Sequence, residues 1–192
     1  MLVLTKCRLL CYPKAASRWL TQAARLACRV TYDSGERDEL AYHAGLSASI
    51  GSEFPSIAVV RYPVTWYRSY WNHRVRRGWQ PETHEIDQAQ SGEFGQFMES
   101  AIEGYPGWLS NYARKWVGKP GDGVIVARYE NVQEEVLSIL KALGEPVDEN
   151  KWNSHKPTNC GDYQAYPARV LERYRKRLDK TEAELIGRFY AR

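Results

Sequence analysis

Residues 8–20 read RLLCYPKAASRWL, and the rest of the chain is organised around them. Leu9, Leu10, Cys11 and Tyr12 form a short apolar run of the kind that buries as a strand. Pro13 ends the run, and Lys14, Ala15, Ala16 and Ser17 make a turn of small residues before a helical period begins. A strand, a tight turn and a helix N-terminus form an anion cradle. The first N–H groups of a helix have no partner inside it and point back at the turn. Small side chains let an anion approach that backbone. Lys14 supplies a point charge there, Ser17 a hydroxyl and Arg18 a planar fork. The stretch is not a Walker A loop, GxxxxGK[ST]. No glycine lies between Lys14 and Trp19, and the lysine precedes the turn.

A chain of 192 residues can bury a genuine core, and one domain over residues 1–192 is expected. Hydrophobic residues make up 43% and charged residues 26%, an ordinary globular balance. The net charge of +4 suits an anionic ligand and is too mild to point to nucleic acid. Cys7, Cys11, Cys28 and Cys160 form no CxxC pair, so they read as reduced, packed thiols rather than a metal site. No apolar run approaches the ~18–20 residues of a membrane span. A signal-peptide reading of MLVLTKCRLLCYPK would sacrifice the Lys14 loop. The expectation is a cytoplasmic chain with no membrane partner.

Residues 17–30 carry Leu20, Ala23, Ala24, Ala27 and Val30 on one face, the period of an amphipathic helix with Ser17 as N-cap. Residues 31–39 are polar with a turn at Ser34-Gly35. Residues 40–43 read as a short strand and residues 45–51 as a short helix. Residues 56–61, SIAVVR, are the clearest strand, β-branched and bounded by Pro55 and Pro63. Arg61 then sits at the strand's C-terminal end, where open parallel sheets bind ligands. Pro63 starts the next helix, and Ser69 lies two turns along it. Residues 78–92 read as a loop. Residues 94–102 and 108–117 read as helices, 123–129 as a strand, and 132–143 as a helix stopped by Gly144. Residues 152–163 read as a loop. Residues 168–178 and 181–190 read as basic helices whose charged faces are solvated surface.

Three segments resemble the sulfotransferase family. YPKAASRWL is similar to that family's 5′-phosphosulfate loop, often written YPKSGTTW. VVRYPVTWYRSYW resembles its 3′-phosphate motif: an apolar strand, Arg-x-Pro, and a serine eight residues after the arginine. VIVARYENVQEEVLSILKALGEP resembles its later strand and helix with a Tyr-Glu pair. The three stand in the family's order across most of residues 8–146. Ala15-Ala16 replaces Ser-Gly and Arg18 replaces the second threonine. Ala16 therefore requires a turn without a glycine-only conformation.

The resemblance implies a mainly parallel α/β sheet flanked by helices, with a P-loop-like nucleotide site. It also implies transfer of a sulfuryl group from 3′-phosphoadenosine 5′-phosphosulfate to a hydroxyl or amine. Lys14 would neutralise the leaving 5′-phosphate. Ser17, Arg18 and the loop N–H groups of Ala15 and Ala16 would hold the phosphosulfate. Arg61 and Ser69 would grip the 3′-phosphate, Trp19 would lie against the adenine, and Tyr129 would stand near the nucleotide. Glu130 carries an equally good structural reading. His43 is the candidate base, with Glu39 the runner-up. His73, His84 and His155 match no expected position. No acidic cluster calls for a metal. The acceptor stays open between a small molecule, a carbohydrate and a peptide, with Trp66–Trp79 a candidate lining. A compact chain without an anchor or stem points to a bacterial-type or phage-type enzyme. Two alternatives remain: an ATP-dependent kinase of P-loop type, and a nucleotide- or polyanion-binding protein without turnover.

Overall fold

The structure, a computed structural model, describes residues 1–34, 45–48, 51–156 and 168–191. The strands are β1 (Leu2–Val3), β2 (Arg8–Leu10), β3 (Tyr32–Asp33), β4 (Ser56–Val60) and β5 (Val124–Arg128). The α-helices among the described residues are α1 (Ser17–Ala27), α2 (Pro63–Arg77), α3 (Phe94–Gly104), α4 (Trp108–Val117), α5 (Val132–Ala142), α6 (Glu149–Ser154), α7 (Ala168–Thr181) and α8 (Ala183–Phe189). The chain divides into two compact units. One holds Met1–Arg61 and Ala113–Asn159, and the other holds Tyr62–Tyr112 and Cys160–Arg192.

The first unit contains a five-stranded sheet of order β3-β1-β2-β4-β5. It is mixed, not mainly parallel: β2-β4 and β4-β5 are parallel, while β1-β2 and β1-β3 are antiparallel. The reason is chain length. Residues 4–7 join β1 to β2, and a parallel crossover needs a dozen or more residues. The amide of Leu4 instead closes a hairpin on the carbonyl of Cys7 at 2.8 Å. The carboxylate of Glu145, only 4% exposed, holds the hairpin tip by accepting from the amides of Thr5 (3.3 Å) and Lys6 (2.6 Å).

All five residues of β4 are buried between two parallel neighbours, which explains their unbroken apolar character. Helix α1 packs on α6 through Trp19 and Trp152, whose rings meet edge-on at 5.5 Å. The indole N–H of Trp152 donates to the carbonyl of Gln133 on α5. Residue 152 thus belongs to a helix capped by Asp148, not to a loop. Cys7, Cys11 and Cys28 are free thiols. Burial pushes Cys7 and Cys28 up to about 12 and raises Cys11 as well. The expected strand at 40–43 lies outside the described residues. Of the expected helix at 45–51, residues 45–48 form a turn closed by the Ala48 amide on the Gly45 carbonyl.

The second unit packs α2, α3, α7 and α8 around aromatic rings. Trp66, Tyr67, Phe94 and Phe97 are at most 1% exposed. Trp66 stacks on Tyr70 at 4.9 Å and leans on Trp108 at 6.0 Å. Two buried carboxylates tie this core together. Glu182 accepts from the Tyr67 hydroxyl, the Ser110 hydroxyl and the amides of Leu109 and Ser110, so it serves the uncapped start of α4. Asp87 accepts from the Tyr70 hydroxyl and the Gln80 amide and pairs with Arg74 at 2.8 Å. The polar stretch expected as a loop over 78–92 contains a 3-10 turn, Glu85–Ala89, anchored by buried Ile86 and Asp87.

Candidate functional site

The three parallel strands of the first unit deliver three sequence-identified residues to one edge of the sheet. Lys14 follows β2, Arg61 follows β4 and Tyr129 follows β5, each just past the C-terminal end of its strand. Registers pair Leu10 with Ala58 and Val60 with Arg128, so the three ends lie side by side. Arg61 is 5% exposed. Its guanidinium donates to the carbonyl of Lys14 at 3.2 Å and lies 4.1 Å from the centre of the Tyr129 ring. Cation and ring attract through the ring's negative face. Arg61 is thus seated from both sides by the two neighbouring strand ends.

The turn after β2 is unusual. Lys14 has φ 63° and Ala16 has φ 60°, both left-handed without being glycine. The sequence comparison with a Ser-Gly loop led to the opposite expectation for Ala16. The structure corrects it: the turn takes the glycine-like conformation and keeps an alanine in it. Each such residue costs about 1–2 kcal/mol. Left-handed residues alternating with right-handed ones fold successive N–H groups into a concave anion-binding nest. The amide of Ala15 returns to the Tyr12 carbonyl at 3.3 Å, and the first helical bond runs from Leu20 to Ala16 at 2.9 Å.

Ala16, not Ser17, is the N-cap of α1, and no side chain caps the helix there. The left-handed backbone at Ala16 moves the helix start one residue earlier, so Ser17 becomes its buried first residue. The first turn of α1 carries no carboxylate, and Arg18 is exposed in it. An anion here would meet uncapped N–H groups, the positive end of the helix and the Arg61 cation. Lys14 is half-buried, as are Ala16 and Tyr129, and Ala15 is buried.

Trp19 is 5% exposed, and its contacts are with α6 and the residue after it. Its N–H donates to the His155 carbonyl at 2.7 Å, and its ring lies nearly parallel to the His155 ring at 6.5 Å. His155 Nε2 is buried and makes no hydrogen bond among the described residues. Sequence reasoning gave His155 no place. The only available signal was the three-residue spacing from Trp152, which is legible only once residues 149–154 are known to be helical.

Ser69 lies in α2 of the second unit and is 6% exposed. Glu130 is exposed in the 3-10 turn Tyr129–Asn131. The candidate bases His43 and Glu39 lie outside the described residues. Among the described residues, no group of three His, Cys, Asp or Glu side chains is arranged to hold a metal, and no helix is long and apolar enough to cross a membrane. Comparison with protein-family models, curated proteins and solved structures gives no significant match.

Proposed function

We propose that the chain is a sulfotransferase using 3′-phosphoadenosine 5′-phosphosulfate. The observation that carries the reading is the seating of Arg61 against the Lys14 carbonyl, beside an uncapped helix start. Two cations, a nest of N–H groups and no carboxylate in the first turn suit a nucleotide bearing phosphate and sulfate groups.

In this reading the acceptor oxygen or nitrogen attacks sulfur in line as the S–O bond to the 5′-phosphate breaks. Lys14 stabilises the charge that builds on the leaving oxygen. Ser17, Arg18 and the amide of Ala16 orient the phosphosulfate, while the amide of Ala15 is taken by the Tyr12 carbonyl. Arg61 binds the 3′-phosphate, Trp19 lies against the adenine and Tyr129 holds Arg61 in place. His43, or in its stead Glu39, takes the acceptor proton. The acceptor carries a hydroxyl or amine. A cytoplasmic site of action remains part of the proposal.

Calorimetric titration with 3′-phosphoadenosine 5′-phosphate tests it. Wild type should bind, and ATP should not compete. Arg61→Ala should weaken binding about tenfold or more, since a charge-assisted hydrogen bond is worth about 1.5–3 kcal/mol. Lys14→Ala should lower turnover by orders of magnitude, whereas a binding protein without turnover would lose affinity alone. Preference for ATP with magnesium would overturn the reading in favour of a kinase.

A further inference from the structure

Strand β5, VIVAR over Val124–Arg128, is the last strand of its sheet. Its inner side pairs with β4 in an unbroken parallel register, from Ser56 opposite Val124 to Val60 opposite Arg128. No strand covers its outer side among the described residues. The opposite edge of the sheet, β3, is two residues long, and a very short strand is one way to blunt an edge. β5 lacks such protection. It carries no proline, no lysine and no bulge, and its first three residues are apolar, β-branched and half-buried.

One hydrogen bond fixes the direction of its outer backbone groups. The amide of Arg128 donates to Oε2 of Glu135 on α5 at 2.7 Å, so it points away from β4. Along a strand, successive residues turn their N–H and C=O groups to alternate sides. Val124 and Val126 share the parity of Arg128 and therefore also face outward, while Ile125 and Ala127 serve the ladder with β4. Glu135 closes the edge at Arg128 by taking the guanidinium as well, 2.8 Å from its Nε. Val124 and Val126 make no hydrogen bond on the outer side among the described residues.

This open stretch is complementary to itself. Copies that meet antiparallel about a two-fold axis must set outward residues opposite outward residues. A register centred on Val126 sets Asp122 against Glu130, and like charges placed opposite each other are destabilising. A register centred on Ile125 sets Val124 of each copy opposite Val126 of the other, so that each such pair exchanges both of its N–H···O bonds. It also brings Asp122 of each copy level with Arg128 of the other. Asp122 is exposed, and the Arg128 side chain stays 48% exposed beside Glu135. A second copy thus matches the charges at both ends of the strand by symmetry, whereas a foreign strand would have to carry them at the same spacing.

We propose that β5 is a self-association edge, to which a second copy of this chain adds its own β5 antiparallel in the register centred on Ile125. The inference rests on the first unit alone and is independent of the donor site. Sedimentation of the full chain over a concentration series should show a dimer that dissociates on dilution. Val126→Pro removes an outward N–H and no ladder bond with β4, and proline is tolerated in edge strands. It should melt close to wild type and sediment as a monomer. Ile125→Cys tests the register without that variant. On the axis the residues at position 125 form a non-hydrogen-bonded pair with Cα atoms about 4.5 Å apart, within reach of a disulfide. Mild oxidation should give a covalent dimer of Ile125→Cys and none of Val126→Cys or wild type. A wild type that stays monomeric would leave the edge to a foreign strand and overturn the proposal. So would a dimer that survives Val126→Pro, an Ile125→Cys that does not cross-link, or cross-linking of Val126→Cys in its place.

Discussion

Replacing Ala16 by glycine is expected to stabilise the protein, the reverse of what the same change does inside a helix. Ala16 sits at φ 60°, ψ 18° as the N-cap of α1, with no capping side chain. Its Cβ costs about 1–2 kcal/mol in that left-handed conformation, and glycine is also preferred to alanine as an N-cap. Against these gains, glycine frees the unfolded chain by about 0.5–1 kcal/mol. The balance is a gain of about 0.5–1 kcal/mol. Ala24→Gly provides the reference, since Ala24 is buried in the interior of α1 and its glycine variant should lose about 1 kcal/mol or more. Equilibrium unfolding in urea separates the two. With a slope of about 2 kcal/mol/M, Ala16→Gly should move the midpoint up by about 0.3–0.5 M and Ala24→Gly should move it down. Ala16→Val should also fall, because a branched Cβ tolerates the left-handed region least. A midpoint for Ala16→Gly that drops with that of Ala24→Gly would mean that the turn is not left-handed at residue 16, and the nest of N–H groups would go with it.

Asp87→Ala is expected to cost about 3–5 kcal/mol, because it leaves the Arg74 guanidinium, 6% exposed, without its carboxylate. Adding Arg74→Met should recover much of the loss in the same urea assay, and a double variant no better than the single one would deny the pair its role. Glu182 predicts a pH dependence. Burial raises its carboxyl above the ordinary 4.5, despite four hydrogen bonds that pull the other way. The folded chain therefore holds this proton more tightly than the unfolded chain does. The resulting stability is full below the ordinary value and is lost as pH rises through the raised one. Glu182→Gln has no such proton, so its urea midpoint should run flatter across that window, and parallel curves for the two proteins would count against the shift.

Elements with a strong local signal were legible in advance. β4 could be read from SIAVV between two prolines, and α2 from Pro63 at its first position. The helix over 132–142 was readable from its period and the glycine behind it. What escaped had weak local signals and strong distant partners. β1 and β3 are two residues each and exist because they pair with one another and with β2. Helix α6 is six residues of mostly polar character held by one tryptophan. The turn Glu85–Ala89 looks like loop because its decisive residue, Asp87, is charged, and only Tyr70, Arg74 and Gln80 make its burial tolerable. Ser17 looked like the cap because caps are read from side chains, whereas the backbone at Ala16 decided where α1 begins.

For the candidate site the division is similar. Residue types and spacing alone single out Lys14 and Arg61, since each follows an apolar run at the point where a strand must end, and Tyr129 is added by the resemblance. Strand order is a property of the whole sheet and is encoded in no short stretch. Only the tertiary structure places β4 between β2 and β5, and only that placement brings the Arg61 guanidinium to the Lys14 carbonyl and the Tyr129 ring. The same holds for charge. Composition reports a net +4, but that Arg173 and Arg177 of α7 engage Glu99 and Glu103 of α3 depends on how the two helices pack. Local chemistry is written along the chain, whereas convergence comes from packing, which joins residues that the sequence holds far apart.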